Sequence, residues 1–370
     1  MRDAAAAAAA SQALLARLGM THPILQAPMA GVATPALAAA VSEAGGLGSL
    51  GLGPISVAAA RALLAEMRAR TDRLFGVNLF CAPSPQRDAA KEVAWLERLR
   101  PAFEALGATP PERLAPPFEP SLADPAMLPL LLETKPALVS FHLGLPEARA
   151  VAALRHAGIV VIATATSLEE ALQVENAGFD AVVAQGIEAG GHRGIFDPDA
   201  DNDARLHTLD LVRTVMPRLS IPVIAAGGVM DGSDIAKMLR AGAAITQLGT
   251  AFLCCPETTG HDLYRAAMLQ LTEGTVLTRA ITGRPARAVV NALSALGADA
   301  PPKEIPAFPL PAMASRALAV AAAPRSDYLA LWAGAGMSRA RAMPAATLME
   351  TLVTELARSQ RHDGHQLRFA

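Results

Sequence analysis

Cysteine is scarce: Cys81, Cys254 and Cys255 are the three in a chain of 370 residues, and no two form a CxxC pair. That excludes a disulfide framework and makes a reducing cytoplasm the expected compartment. No apolar run is long enough to span a bilayer. Charge of one sign is also missing. A formal net charge of −2 leaves no electrostatic footprint for nucleic acid or an anionic membrane. HExxH and paired Cys/His sets are absent, so no metal site is expected. There is no GxSxG elbow for a serine hydrolase, and no GxGxxG after the first strand for an NAD Rossmann domain.

The N-terminus tests one of these exclusions. Arg2 before the alanine run Ala4 to Ala10 has a faint look of a signal peptide. Asp3 sits in the charged region, however, and Arg17 splits the leucines, so Leu14 and Leu18 read as the apolar side of a leading helix.

What is present is a rhythm. Short apolar runs alternate with helical stretches: Pro23–Met29, Leu47–Leu50, Phe75–Leu79, Leu138–Ser140, Val160–Ala163, Ala181–Ala184, Pro222–Ala226 and Ala244–Leu248. Thr34 as N-cap, Pro35 at N1 and Gly45 past the end frame the first intervening helix. Alternation of this kind argues for a parallel sheet with helical crossovers, and eight strands is the number that closes a (β/α)8 TIM barrel. An open doubly wound sheet is the alternative. Gln26, Asn78, Ser140, Thr164, Gln185, Gly227 and Gln247 all fall at or near strand C-termini, the catalytic face of barrel enzymes, and this favours the barrel.

Two stretches break the rhythm. Residues 81–135, punctuated by Pro83, Pro85, Pro110, Pro111, Pro116, Pro117 and Pro120, read as an irregular insertion over one end of the sheet. Residues 255–341, with a helix over His261–Leu271 and a proline-rich run from Pro301 to Pro311, read as a cap over the barrel mouth. The expected organisation is a barrel over 1–254, a cap over 255–341, and a C-terminal segment, 342–370, whose helix (about Ala345–Ala357) returns to the barrel.

The chemistry concentrates in Gln185-Gly-Ile-Glu-Ala-Gly-Gly-His-Arg-Gly194. A strand ends there in a glycine-rich loop carrying His192, the best candidate for a general base. Glu188 lies close in sequence, and His142 follows a strand at the same barrel end as a weaker substrate-contact candidate. The other histidines read as structural or solvated, and Cys254-Cys255 as buried packing. Gly227-Gly228 after the seventh strand and Gly249-Thr250 after the eighth occupy the positions where this fold commonly holds phosphate. Arg284 and Arg287 either reach a ligand anion from the cap or serve a surface or ion-pair role.

Taken together, Gln26-Ala-Pro-Met-Ala-Gly31, Gly76-Val-Asn-Leu-Phe80, Val139-Ser-Phe-His-Leu-Gly-Leu-Pro146, the Gln185–Gly194 loop, Ala226-Gly-Gly-Val-Met-Asp-Gly232, Gln247-Leu-Gly-Thr-Ala-Phe252, Thr282-Gly-Arg-Pro-Ala-Arg287 and Leu331-Trp-Ala-Gly334 resemble the nitronate monooxygenase family, formerly 2-nitropropane dioxygenases. The resemblance covers nearly the whole chain after about residue 20. It implies an FMN-dependent TIM barrel that oxidises alkyl nitronates, such as propionate 3-nitronate, with dioxygen. By matching position it makes His192 catalytic. It puts Gln26, Met29, Asn78, Gln185, Gly190 and Gly191 along the isoalloxazine, and counts Gln247 among the cofactor-binding residues. Gly227, Gly228, Gly249 and Thr250 would hold the phosphate, and His142 and Ile187 would face substrate. A homodimer stays open. Ala288, Ala335 and Ile187 depart from the family's frequent Gly, Gln and aromatic residues, which bears on the substrate pocket more than on the flavin site. Two other readings stand beside it: an NAD(P)H-dependent flavin reductase acting on quinones or an enoyl thioester, and a non-catalytic flavin- or phosphate-binding barrel.

Overall fold

A computed structural model of the chain describes residues 4–118, 122, 124–199, 203–269 and 274–366. The strands are β1 (Ile24–Gln26), β2 (Gly48–Gly51), β3 (Phe75–Phe80), β4 (Leu138–His142), β5 (Val160–Ala165), β6 (Ala181–Gln185), β7 (Gly191–His192), β8 (Val223–Ala226), β9 (Ile245–Leu248), β10 (Thr275–Thr278) and β11 (Ala286–Val289). Eight of them pair in parallel in the order β1-β9-β8-β6-β5-β4-β3-β2. A parallel bridge between Leu25 and Leu47 joins the two ends, so the sheet closes into a barrel.

Side-chain parity explains the two apolar layers. Successive residues of a strand face opposite sides. Val160 and Ile162 of β5, Ala181 and Val183 of β6, and Ile224 of β8 fill the barrel interior with Leu25, Leu47 and Leu138. Their neighbours Val161, Ala163, Val182, Ala184, Val223 and Ala225 face the surrounding helices. The leading helix, Ala4–Arg17, sends Leu14 and the following Leu18 into the interior cluster.

The first crossover helix runs from Pro35 to Glu43, with the Thr34 hydroxyl accepting from the Leu37 N–H and Pro35 in its first turn, as the sequence signals predict. The C-terminal helix, Ala345–Gln366, is longer than expected. It packs between Gly232–Arg240 and Pro35–Glu43, the position of an eighth barrel helix.

The two segments that break the rhythm meet in a second core. Trp95, Leu99 and Phe103 come from a helix at Ala89–Ala105, which continues through Pro101. They pack with Leu310, Ala314 and Leu318, the last two on helix Pro311–Ala322. The helix expected over His261–Leu271 spans His261–Leu269; residues 270–273, with Pro120 and residues 200–202 of the loop after His192, lie outside the described residues.

Candidate active site

Inward parity at the C-terminal ends of the strands builds one wall of a cavity of about 430 Å³. Asn78, Phe80, Ser140, His142, Thr164, Gln185 and Gln247 share the interior face of their strands and line that cavity, and Met29, just after β1, lines it too. Asn78 is held in place, donating through Nδ2 to the Ser140 hydroxyl at 2.8 Å. A volume of this size falls in the usual range for small-molecule and cofactor sites.

Two expected residues are not brought to the cavity, and parity locates the first of them. Gln26 has the parity of Ile24, which faces the outer core, and it is fully buried. Its Oε1 accepts from the Ser49 N–H at 2.9 Å, so it stitches β1 to β2 behind the wall. The Ile187 backbone is bonded to Leu206 through its N–H and accepts from Arg287 Nε, and its side chain is not among the lining residues. Ala288 and Ala335, the other two departures, also lie outside the lining. Ala288 is packed in the second core, and the Ala335 N–H donates to the Glu188 carbonyl.

His192 sits where barrel and cap join. It forms β7 with Gly191 and pairs antiparallel with β11, which pairs in turn with β10. The histidine that leaves the barrel loop is therefore the edge of the cap's own sheet. Its carbonyl accepts from Gln185 Nε2 and His142 Nε2, both at 3.0 Å. A carbonyl only accepts, so the proton of His142 is on Nε2. The His192 ring hydrogen-bonds through Nε2 with the Thr282 hydroxyl at 3.0 Å. Phe80, Phe308 and Trp332 surround it, with ring centroids at 5.9, 5.3 and 5.3 Å. Burial pushes its pKa down to about 3, helped by the charges of His142 and Arg284. Burial likewise takes His142 down to about 4. Both rings are neutral at pH 7.

The opposite end of the cavity is backbone. Gly227 and Gly228 take φ of +116° and +70°, conformations that side chains rarely adopt. Thr250 opens a short 3-10 turn, whose first N–H groups have no partner within it. Gly190 and Gly191 complete the floor, and a Cβ built on Gly191 would meet no atom within 4 Å. Glu188 turns away: its carboxylate accepts from the N–H and hydroxyl of Thr208 and from His207 Nδ1.

Neither cap arginine singled out above lines the cavity. Arg284 is buried and donates to the carbonyls of Leu143, Ile195 and Phe196. Arg287 donates to those of Ile187 and Thr275. Both tie loops together; the charges found satisfy carbonyls, which no sequence spacing announces. Sequence reading also passed over Phe118, Phe308, Thr282 and Tyr328, which come from irregular segments, and Tyr264 and Arg316, which come from helices outside the barrel; they converge only in three dimensions. The TGRPAR match was the one pointer to Thr282.

The chain is similar to known proteins over nearly its whole length. The family model described as "Nitronate monooxygenase" matches residues 11–355. A nitronate monooxygenase of Paraburkholderia phytofirmans is 52% identical over 94% of this chain and 96% of its own length. One from Pseudomonas aeruginosa is 50% identical over 92% and 97%. Among solved structures, a nitroalkane oxidase from Streptomyces ansochromogenes superposes with a TM-score of 0.85 at 39% identity, covering 94% of this chain and 99% of that one. FabK from Thermotoga maritima gives 0.70 at 26% identity, covering 95% and 98%. With the fold, the Gln185–Gly194 loop and near full-length identity in agreement, this chain belongs to the nitronate monooxygenase family.

Proposed function

We propose that this protein is an FMN-dependent nitronate monooxygenase that oxidises alkyl nitronates, such as propionate 3-nitronate, with dioxygen. The observation that carries the reading is the cavity itself, with neutral His192 at one end and glycine-rich backbone at the other. Its residues suit FMN. Cavity-lining backbone at Gly227, Gly228, Gly249 and Thr250 offers neutral N–H donors for a phosphate, and Gly191, where a Cβ would meet nothing within 4 Å, leaves room for a flat ring to lie against backbone. Bound FMN would supply the redox centre, accepting electrons from the nitronate and passing them to dioxygen.

The chain's own residues do the rest. Neutral His192, braced by Thr282 and by two hydrogen bonds to its carbonyl, orients the nitronate oxygens through a hydrogen bond. An imidazole whose conjugate acid has a pKa of about 3 is a weak base, so the substrate arrives already as the nitronate. Phe80, Phe308 and Trp332 exclude water around that ring and strengthen the contact. The cysteines, all free, suit a reducing compartment such as the cytoplasm.

The test is an anaerobic visible spectrum of the purified protein with propionate 3-nitronate, and NADH in a parallel cuvette. Bleaching or a radical spectrum with nitronate alone supports the reading. Bleaching with NADH alone replaces it with a reductase. A colourless protein that takes up no added FMN removes the cofactor from it.

A further inference from the structure

Residues 334–341, where the chain returns from the cap to the barrel, hold the loops after β6, β8 and β9 at the backbone end of the cavity. The Gly334 N–H donates to the Thr250 hydroxyl at 2.9 Å, and the Ala335 N–H donates to the Glu188 carbonyl at 2.9 Å. Arg339 donates to the Gly228 carbonyl and Arg341 to the Met230 carbonyl, both at 3.0 Å.

The loop after β8 carries the consequence. In this fold a phosphate commonly takes donors from a helix N-terminus. Here the first donors of the following helix, Gly232–Arg240, are already engaged. Asp231 accepts from the Ser233 and Asp234 N–H groups, and Glu355 accepts from that of Gly232. Asp231 and Asp234 also set two carboxylates beside the loop, and these repel an anion. What remains is the loop itself. The N–H groups of Gly228 and Val229 have no partner among the described residues, and both residues line the cavity.

Arg339 acts on the donor and on the charge. It holds the Gly228 carbonyl, and in a trans peptide the N–H of the next residue, Val229, points the opposite way. Arg339 is exposed and outside the cavity lining, so that N–H is turned away from the outer side of the loop. The same guanidinium pairs with Asp231 at 3.1 Å and with Asp234 at 2.9 Å, which offsets both carboxylates. Ion pairs as exposed as these add little to folding.

We propose that Arg339 is a positioning residue for the cofactor's phosphate: it aims the Gly228–Val229 peptide at the phosphate and screens it from Asp231 and Asp234. The segment returning from the cap thereby completes the phosphate end of the site. This rests on the FMN reading above.

The experiment titrates flavin-free protein with FMN and with riboflavin, which lacks the phosphate, and reads Kd from flavin fluorescence. Arg339→Ala should weaken FMN binding about tenfold, the range of a hydrogen bond to a charged group, and riboflavin binding by less than about twofold. Arg339→Lys, which keeps the charge and a donor, should recover part of the loss. Melting temperatures without flavin check that the variants fold; where Arg339→Ala does not, the FMN-to-riboflavin ratio of Arg339→Lys, expected between those of the other two, decides. Equal losses for both flavins mean that Arg339 only keeps the loop's shape and overturn the assignment, as do no loss for either or an unaltered protein that binds both alike. If the unaltered protein binds neither flavin, the FMN reading falls and inorganic phosphate decides the rest. A rise in melting temperature with phosphate that Arg339→Ala abolishes keeps the anion site; a rise left intact, or none, discards it.

Discussion

The two walls of the cavity solve recognition with different materials. Beyond the polar strand ends, after β8 and β9, the barrel wall presents backbone: glycines at +116° and +70°, and the first N–H groups of a short turn. The cap wall presents side chains: Phe118, Phe308, Trp332, Thr282 and Arg316, carried by segments with a separate hydrophobic core. Backbone donors are fixed by the fold and suit a group that stays bound. Side chains can be exchanged without refolding the barrel and suit a group that changes from one relative to another. His192 belongs to both, as the end of a barrel loop and the edge strand of the cap sheet.

The division can be broken first at that junction. His192→Asn keeps a hydrogen-bonding side chain but loses the imidazole against Thr282 and the aromatic cluster. Turnover of propionate 3-nitronate should fall roughly 100-fold or more while flavin absorbance per protein is retained. Steady-state oxygen uptake and a spectrum of the same sample check both halves; unchanged uptake would remove His192 from catalysis.

The cap wall comes next. Leu318 is fully buried between the insertion helix and the cap. Leu318→Ala should cost about 2–5 kcal/mol in the unfolding of whatever cooperative unit contains this core. If the cap core unfolds apart from the barrel, urea titration followed by near-UV signals will show two transitions in the variant. A single shifted transition would mean that β7 and β11 bind the two cores into one unit.

The barrel wall responds differently. A methyl on Gly227 would sit at φ +116°, 2.8 Å from the Thr208 hydroxyl. Gly227→Ala should therefore cost about 1–3 kcal/mol of strain, expressed as weaker FMN retention with less change in KM for the nitronate. Flavin release during dilution measures it. A KM change without flavin loss would contradict the assignment of this end to phosphate.

These walls were unequally legible. The barrel could be read because each strand is short, apolar and separated by a helix of regular period, and because its glycine pairs follow strands in adjacent positions. Parity would have gone further. Gln26 ends a strand like the other polar residues, yet Ile24 on the same face belongs to the outer core, and this places Gln26 behind the wall. The cap wall could not be read: Phe118 and Phe308 lie 190 positions apart in proline-rich stretches, and they meet only in a small cluster of their own with Phe80, Ala82 and Leu143. β7 escaped for a related reason. Two residues, one a glycine, carry no periodicity, and they form a strand only because β11 offers them an edge.

The weakest expected effect concerns acid. His142 and His192 have pKa values of about 4 and 3 in the folded chain, both pushed down chiefly by burial, against about 6.5 for an unperturbed imidazole. As pH falls below about 6.5 the unfolded chain takes up these protons and the folded chain does not. Their contribution to stability is therefore whole above pH 6.5 and is lost progressively as pH falls toward 4. Urea midpoints at pH 7, 5.5 and 4.5 should decline, and the His142→Asn, His192→Asn double variant should decline less steeply. The same two rings also predict a direction for the cofactor. Both rings line the cavity, so a flavin filling it would displace water from them and disfavour the imidazolium further. The FMN-loaded protein should then lose stability more steeply with acid than the flavin-free protein; equal slopes would mean that the flavin leaves the solvation of these two rings unchanged.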